Sequence, residues 1–393
     1  MFKKLFCIGF AVLMLSGLVS QSSDPVILSY QRNFIRASIS TKIELLNDAS
    51  RIDTIVMTPL YIDALSFVST NYPVLGNDSQ LMDIAVIAAN KAASYLDISI
   101  IPSLRKIFTL IPEARISIAC LNSFSVLAKG QKDDIAFLNA WFAGAIARAS
   151  DGKPVDVRTL ATGAAALGKI GDSSSFSLLF RAATSSLDNS IVAASAEALN
   201  SISDSYPENI LAIIAEKRIK EAYAAFSFAM KKTGLSDTEK GRIAEAAFTV
   251  GIETAGPELN AALQSTLIRE SLDQLALLKW SQASPLVVKY FYQMQGDYKN
   301  NKVSVDALIP VVKGMGAMAT TDSAQALSIF LGLLNSETEQ KKNYNEQLML
   351  SVINALGDLG DKSAFDYLLY VGYLDYPESV KKASRDALAR LQW

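Results

Sequence analysis

Two stretches of this 393-residue chain are copies of one pattern. A chain that repeats itself at a short interval folds by stacking units on their neighbours, not around a single centre. Residues 159–202 read TLATGAAALGKIGDSSSFSLLFRAATSSLDNSIVAASAEALNSI, and residues 351–391 read SVINALGDLGDKSAFDYLLYVGYLDYPESVKKASRDALARL. Both run Ala-Leu-Gly-x-(Leu/Ile)-Gly-Asp, then a second apolar segment, a polar turn and a third segment ending in Ala-Leu. Leu167 precedes Leu199 by 32 residues, and Leu356 precedes Leu388 by the same 32.

Weaker copies fill the intervals. Leu127 lies 40 residues before Leu167, Met315 lies 41 before Leu356, and Phe248 and Leu277 stand at similar landmarks. Upstream, STKIELLNDASRI and QLMDIAVIAANKAASYL read as two further second helices. The pattern predicts about nine helical-hairpin units of roughly 32 to 49 residues as one array over residues 21–393, with residues 236–264 and 299–306 departing most from it.

Local chemistry calls for helices throughout. Ile191, Ala194, Ser195, Ala198, Leu199 and Ile202 recur at three and four positions and make one apolar stripe. Gly171 and Gly360 suit the left-handed residue that closes a helix, and Asp172 and Asp361 suit the cap of the segment that follows. Ser236-x-x-Glu239 and Ser336-x-x-Glu339 read as capping boxes. Pro207 and Pro377, in SYPEN and DYPES, read as first-turn prolines. No stretch alternates convincingly as a strand.

The Ala-Leu-Gly-x-(Leu/Ile)-Gly-Asp run with its downstream (Ile/Val)-x-x-Ala-Ser-x-x-Ala-Leu resembles HEAT repeats, especially the short type named after phycobilisome lyases. Residues 166–172, 191–199, 355–361 and 380–388 carry the resemblance. It implies an all-α, right-handed α-α superhelix of antiparallel helix pairs whose second helices line a concave face. It also implies a scaffold that binds other proteins. Val192 and Lys381 stand where lyase-type repeats often have Arg, a departure from the pattern, so the resemblance does not carry over a role tied to that Arg.

Composition narrows the function. Half the residues are apolar and 19% are charged, too apolar for a disordered chain. Lys and Arg (37) nearly balance Asp and Glu (39), with no basic stripe of the kind nucleic-acid binders carry. There is no histidine, which removes the usual general base, the Ser-His and Cys-His pairs and most zinc sites. Asp133 with Asp134, and Glu337 with Glu339, are the nearest approach to paired acids. With Lys132, Lys341 and Lys342 beside them they read as solvated helix ends. The run Gly163-Ala-Ala-Ala-Leu-Gly168-Lys169 mimics a phosphate loop. Ile170 follows it where Ser or Thr is needed, so it reads as small residues admitting a neighbouring helix. No cofactor and no metal site are expected.

Aromatic residues supply the candidates for partner binding. Tyr290, Phe291 and Tyr292 are consecutive, and helical neighbours point about 100° apart, so at least one should face outward. Trp280 precedes them. Tyr367, Tyr370, Tyr373 and Tyr376 form a second cluster spaced by three, read as a ligand-facing ridge or as the cap of the last repeat. Trp280, Tyr290, Tyr292 and Tyr370 are the expected contacts with a protein partner. The expected function is a non-catalytic interaction scaffold. An enzyme subunit acting on envelope polymers and a structural part of an envelope or motility assembly stand beside it as alternatives.

The opening residues read as an export signal: Lys3 and Lys4, then a run over residues 5–19 that is apolar apart from Ser16 and two glycines, then small polar residues. The run is short for a membrane span of roughly 20 residues, and no later segment is long and apolar enough for one. Removal of a signal over residues 1–20 takes Cys7 with it and leaves Cys120 alone, without a disulfide partner, as a small buried hydrophobe. An exported chain free of disulfides points to a bacterial periplasm or cell surface. The protein isolated from its native source should therefore begin near residues 21–24 and lie outside the cytoplasm. N-terminal sequencing checks this, and an intact Met1 on membrane-bound material would show an anchor instead.

Overall fold

The computed structural model describes residues 24–76, 78–255 and 260–392. The expected signal over residues 1–20, with Cys7, lies outside them. Within them the protein is all-α, built from twenty α-helices, and the lone β-bridge joins Asp361 to Gln392. No helix among the described residues is long and apolar enough to cross a membrane.

The chain forms two compact units, the first ending at Ile170 and the second starting at Gly171. In the first, α1 (Pro25–Arg36) pairs with α2 (Ile39–Ala49), α3 (Thr58–Leu75) with α4 (Ser79–Lys91), α5 (Ile101–Leu110) with α6 (Ala114–Leu127), and α7 (Lys132–Ser150) with α8 (Val157–Ile170). Helices α2, α4, α6 and α8 form one row, and α1, α3 and α5 run beside it in another. In the second unit α9 (Phe176–Ala183) pairs with α10 (Asn189–Ser201), α11 (Tyr206–Ala215) with α12 (Ile219–Lys231), and α13 (Asp237–Glu253) with α14 (Ala261–Leu277). The pairs α15 (Ser284–Lys299) with α16 (Val305–Ala317), α17 (Thr321–Lys341) with α18 (Glu346–Leu359), and α19 (Phe365–Val371) with α20 (Glu378–Leu388) follow. Even-numbered helices from α12 to α20 touch in sequence, and so do α9, α11 and α13, then α15, α17 and α19.

The two clear sequence copies adopt the same local structure. Each leaves a helix through a left-handed glycine, Gly171 at φ 75° and Gly360 at φ 64°. Each then places an aspartate at the head of a short 3-10 turn, where Asp172 accepts from the Ser174 amide and Asp361 from the Ser363 amide, both at 2.9 Å. A short helix opening on Phe176 or Phe365 follows, and then α10 or α20. At Gly360 the position is doubly restricted, because a Cβ there would also lie 3.2 Å from the Arg390 carbonyl oxygen. The serine shared by both third helices is buried in each copy. Ser384 donates to the Leu368 carbonyl at 2.6 Å, whereas the Ser195 hydroxyl finds no partner among the described residues.

Small residues let helices approach. A Cβ on Gly163 would sit 2.6 Å from the Trp141 ring, so the phosphate-loop mimic is the interior of α8 packed on α7. Gly316 similarly lies against Ala355 of α18. Cys120 is fully buried in α6, and burial pushes its thiol up to about 12. Lys42 is an unexpected core residue. Its ammonium reaches the carbonyls of Phe34, of Ile35 at 3.3 Å and of Ala37 at 2.9 Å, closing the end of α1, while the Phe34 and Phe67 rings lie beneath it. Burial lowers its pKa.

Several sequence expectations shift. Leu127, Leu167, Leu199, Met315 and Leu356 are buried on even-numbered helices, but Phe248 is buried on α13, in the other row. Leu277 is 76% exposed at the end of α14, and Leu275 takes the buried place. The Ser236 capping box is present with both bonds, whereas Ser336 and Glu339 lie inside α17, which runs on to Lys341. Glu337 and Glu339 are thus in the last turns of a long helix, with Lys341 4.0 Å from Glu337. Asp133 and Asp134 do open α7, yet Asp134 is largely covered and pairs with Arg105 at 3.1 Å. The strings SYPEN and DYPES are not equivalent: Pro207 lies in the first turn of α11, while Pro377 is the residue before α20.

Replacing Asp172 or Asp361 with Ala should cost about 1 kcal/mol each, the usual loss for a missing cap, with amide exchange rising first around the altered corner. The Ser363 amide holds the Asp361 carboxyl below its usual range. Its contribution is therefore complete above the unfolded value of about 3.9 and is lost as pH falls through the lower folded value. Stabilities of the native protein and Asp361→Ala should converge in acid. A gap that stays constant from neutral to strongly acid pH in urea titrations would contradict the cap.

Candidate functional site

The four candidate aromatics separate into two kinds. Trp280 lies between α14 and α15 with its ring over Gly241 of α13, where an added Cβ would come within 2.4 Å of ring carbon Cε3. Its indole Nε1 donates to Glu245 Oε2 at 2.8 Å, the partner a half-buried indole needs. Tyr290 also turns toward α13, edge-on to Phe248 with centroids 5.4 Å apart, and burial raises its phenol pKa. Both residues knit α15 and its approach to α13.

Tyr292 and Tyr370 face outward. In the consecutive aromatic run Phe291 is fully buried against Phe330 of α17, with centroids 5.4 Å apart, and Tyr292 is exposed. One residue of the three is thus left outside, as the 100° step between helical neighbours requires. The Tyr370 hydroxyl donates to Glu339 Oε2 at 3.2 Å, which raises its pKa.

The helices that carry these two tyrosines, and α17 that packs on both, expose further apolar side chains, a row that the sequence did not single out. Ile329 and Leu333 of α17, Leu369 and Tyr370 of α19, and Tyr373 just after it are all exposed, as is Tyr292 of α15. Ile329 and Leu333 are four residues apart and share one face of α17. The signal was available in LSIFLGLL, residues 327–334: Leu327, Phe330 and Leu331 are buried, so the equally apolar Ile329 and Leu333 had to fall outside.

The row rests on a fixed base. Tyr376 is buried, its hydroxyl 3.1 Å from Asn335 Oδ1 and 2.9 Å from Thr338 Oγ1, both on α17. Asn335 Nδ2 donates in turn to the Tyr367 carbonyl at 3.2 Å, and the Tyr367 ring packs on Gly332, where a Cβ would come within 2.9 Å. Of the four spaced tyrosines, Tyr367 and Tyr376 therefore clamp α19 to α17, while Tyr370 and Tyr373 stand outside. Side chains presented from anchored helices lose little freedom when a partner covers them.

No protein-family model matches this chain, and no curated protein sequence matches it.

The two kinds of aromatic should respond differently to substitution. Trp280→Ala uncovers Gly241 and leaves Glu245 without its donor, and should destabilise by about 2–4 kcal/mol. Tyr370→Phe removes one exposed hydrogen bond and should change stability by less than about 0.5 kcal/mol. Urea unfolding measures both, and a Trp280→Ala protein as stable as the parent would remove the structural assignment.

Proposed function

We propose that this protein is a non-catalytic scaffold of the bacterial periplasm or cell envelope that binds a protein partner through the exposed apolar row of α15, α17 and α19. That row is the observation that carries the reading. Single exposed apolar side chains are ordinary on soluble proteins, whereas a row drawn from neighbouring helices marks a surface that another molecule covers. Its composition favours a protein, because tyrosine brings a large, stiff contact area with a polar tip and is enriched where binding energy concentrates. The resemblance of residues 166–172, 191–199, 355–361 and 380–388 to HEAT repeats supports the same role, since stacked helix pairs present a continuous face built from successive units. The basic and then apolar opening of residues 3–19 supports export, and the balanced charge argues against nucleic acid as the partner.

A photo-crosslinking residue in place of Leu333 or of Tyr370, introduced in the native envelope, should capture one and the same protein. The same probe at exposed Lys382 on α20 should not. Leu333→Asp puts a charge in the centre of the row and should weaken that complex by about 2 kcal/mol or more while the helical circular dichroism is unchanged. Capture that is equally strong from Lys382, or indifferent to Leu333→Asp, would end this reading.

A further inference from the structure

In the first unit a cavity of about 460 Å³ opens among the end of α5, the start of α6, the middle of α7 and the turn into α8. This falls in the range of about 300–1,000 Å³ typical of small-ligand sites. Aromatic rings line it. The Phe108 centroid lies 5.0 Å from that of Trp141 and 5.9 Å from that of Phe137, both in edge contact. Behind them Phe124 backs Phe108 at 6.0 Å, and Gly163 fixes the Trp141 ring from the side of α8. The lining is thus held in place before anything enters.

Two charged residues line the cavity, Arg148 and Asp156, and they are unequal. Asp156 is already committed. Its Oδ1 caps α8, accepting from the Thr159 amide at 2.8 Å and the Thr159 hydroxyl at 2.9 Å, and its Oδ2 faces Arg158 at 3.6 Å. The Thr159 amide, more than any other group, holds the Asp156 carboxyl below its usual range. Arg148 lies near the end of α7, and its guanidinium has no ion pair among the described residues. The uncommitted charge beside this aromatic lining is positive.

We propose that the cavity binds a carboxylate borne on an aromatic or branched apolar group, with the apolar part on Phe108, Phe137 and Trp141 and the carboxylate on Arg148. A guanidinium offers two parallel donors that match the two oxygens of a carboxylate. The same chemistry occurs in a small aromatic acid and at the C-terminal residue of a polypeptide. This site is separate from the α15–α17–α19 row, so the two proposals stand or fall independently.

Isothermal titration of the intact protein with N-acetylphenylalanine, with its carboxamide, and with the tripeptide alanyl-alanyl-phenylalanine tests it. The two acids should bind with dissociation constants of about 1 mM or below, and the carboxamide about tenfold more weakly. Arg148→Gln should abolish the preference for acid over amide, Arg148→Lys should keep part of it, and Phe137→Ala should weaken acid and amide alike. A tripeptide about tenfold tighter than the small acid assigns the site to polypeptide C-termini, and equal affinities assign it to small acids. Failure of both acids to bind at about 10 mM, or equal binding of acid and carboxamide, would overturn the proposal, as would an acid preference that survives Arg148→Gln.

Discussion

Burial of each helix against the next pair is the interaction on which this protein depends. A lone helical hairpin cannot cover its own apolar faces, so each pair here borrows its core from its neighbours: Phe108 of α5 is packed by Trp141 of α7, and Phe291 of α15 by Phe330 of α17. Stability is then transmitted locally. Glycines admit several of these close approaches. At Gly163, Gly241 and Gly316 an added methyl group would meet Trp141, Trp280 and Ala355 of the neighbouring element.

Corners were readable in the sequence because they are local. A glycine that must adopt positive φ and an aspartate that must receive an amide constrain only a few residues, so Gly171-Asp172 and Gly360-Asp361 declare themselves wherever they occur. Row assignment was less readable. Phe248 has the apolar surroundings of a landmark, yet the short pair α11 and α12, of 10 and 13 residues, already fits between Leu199 and it, so that it falls on α13 in the opposite row. Ser336 and Glu339 have the spacing of a cap but continue a helix that began at Thr321, and nothing within four residues reveals that. Outward faces were hardest to read. Periodicity identifies which residues could be buried, and α17 has more apolar residues than its neighbours can cover.

The two clear copies also show how far sequence identity carries chemical identity. Ser195 and Ser384 hold the same place in the pattern and are equally hidden, but only Ser384 reaches a carbonyl. A buried hydroxyl without a partner costs more than an apolar side chain of its size. The copy in the middle of the chain therefore carries a polar liability that the copy at its end has resolved.

Trp141 and Trp280 share an arrangement that reaches beyond packing. Each indole packs against a glycine of a facing helix, Gly163 in the first unit and Gly241 in the second, and both are partly shielded from water. Among the described residues they are the only tryptophans, and each unit holds one. Loss of either helix contact would admit water to a single indole and redden its emission. With the chain's third tryptophan, Trp393, replaced by phenylalanine, the indole emission would come from these two reporters, each bound to the integrity of its own unit.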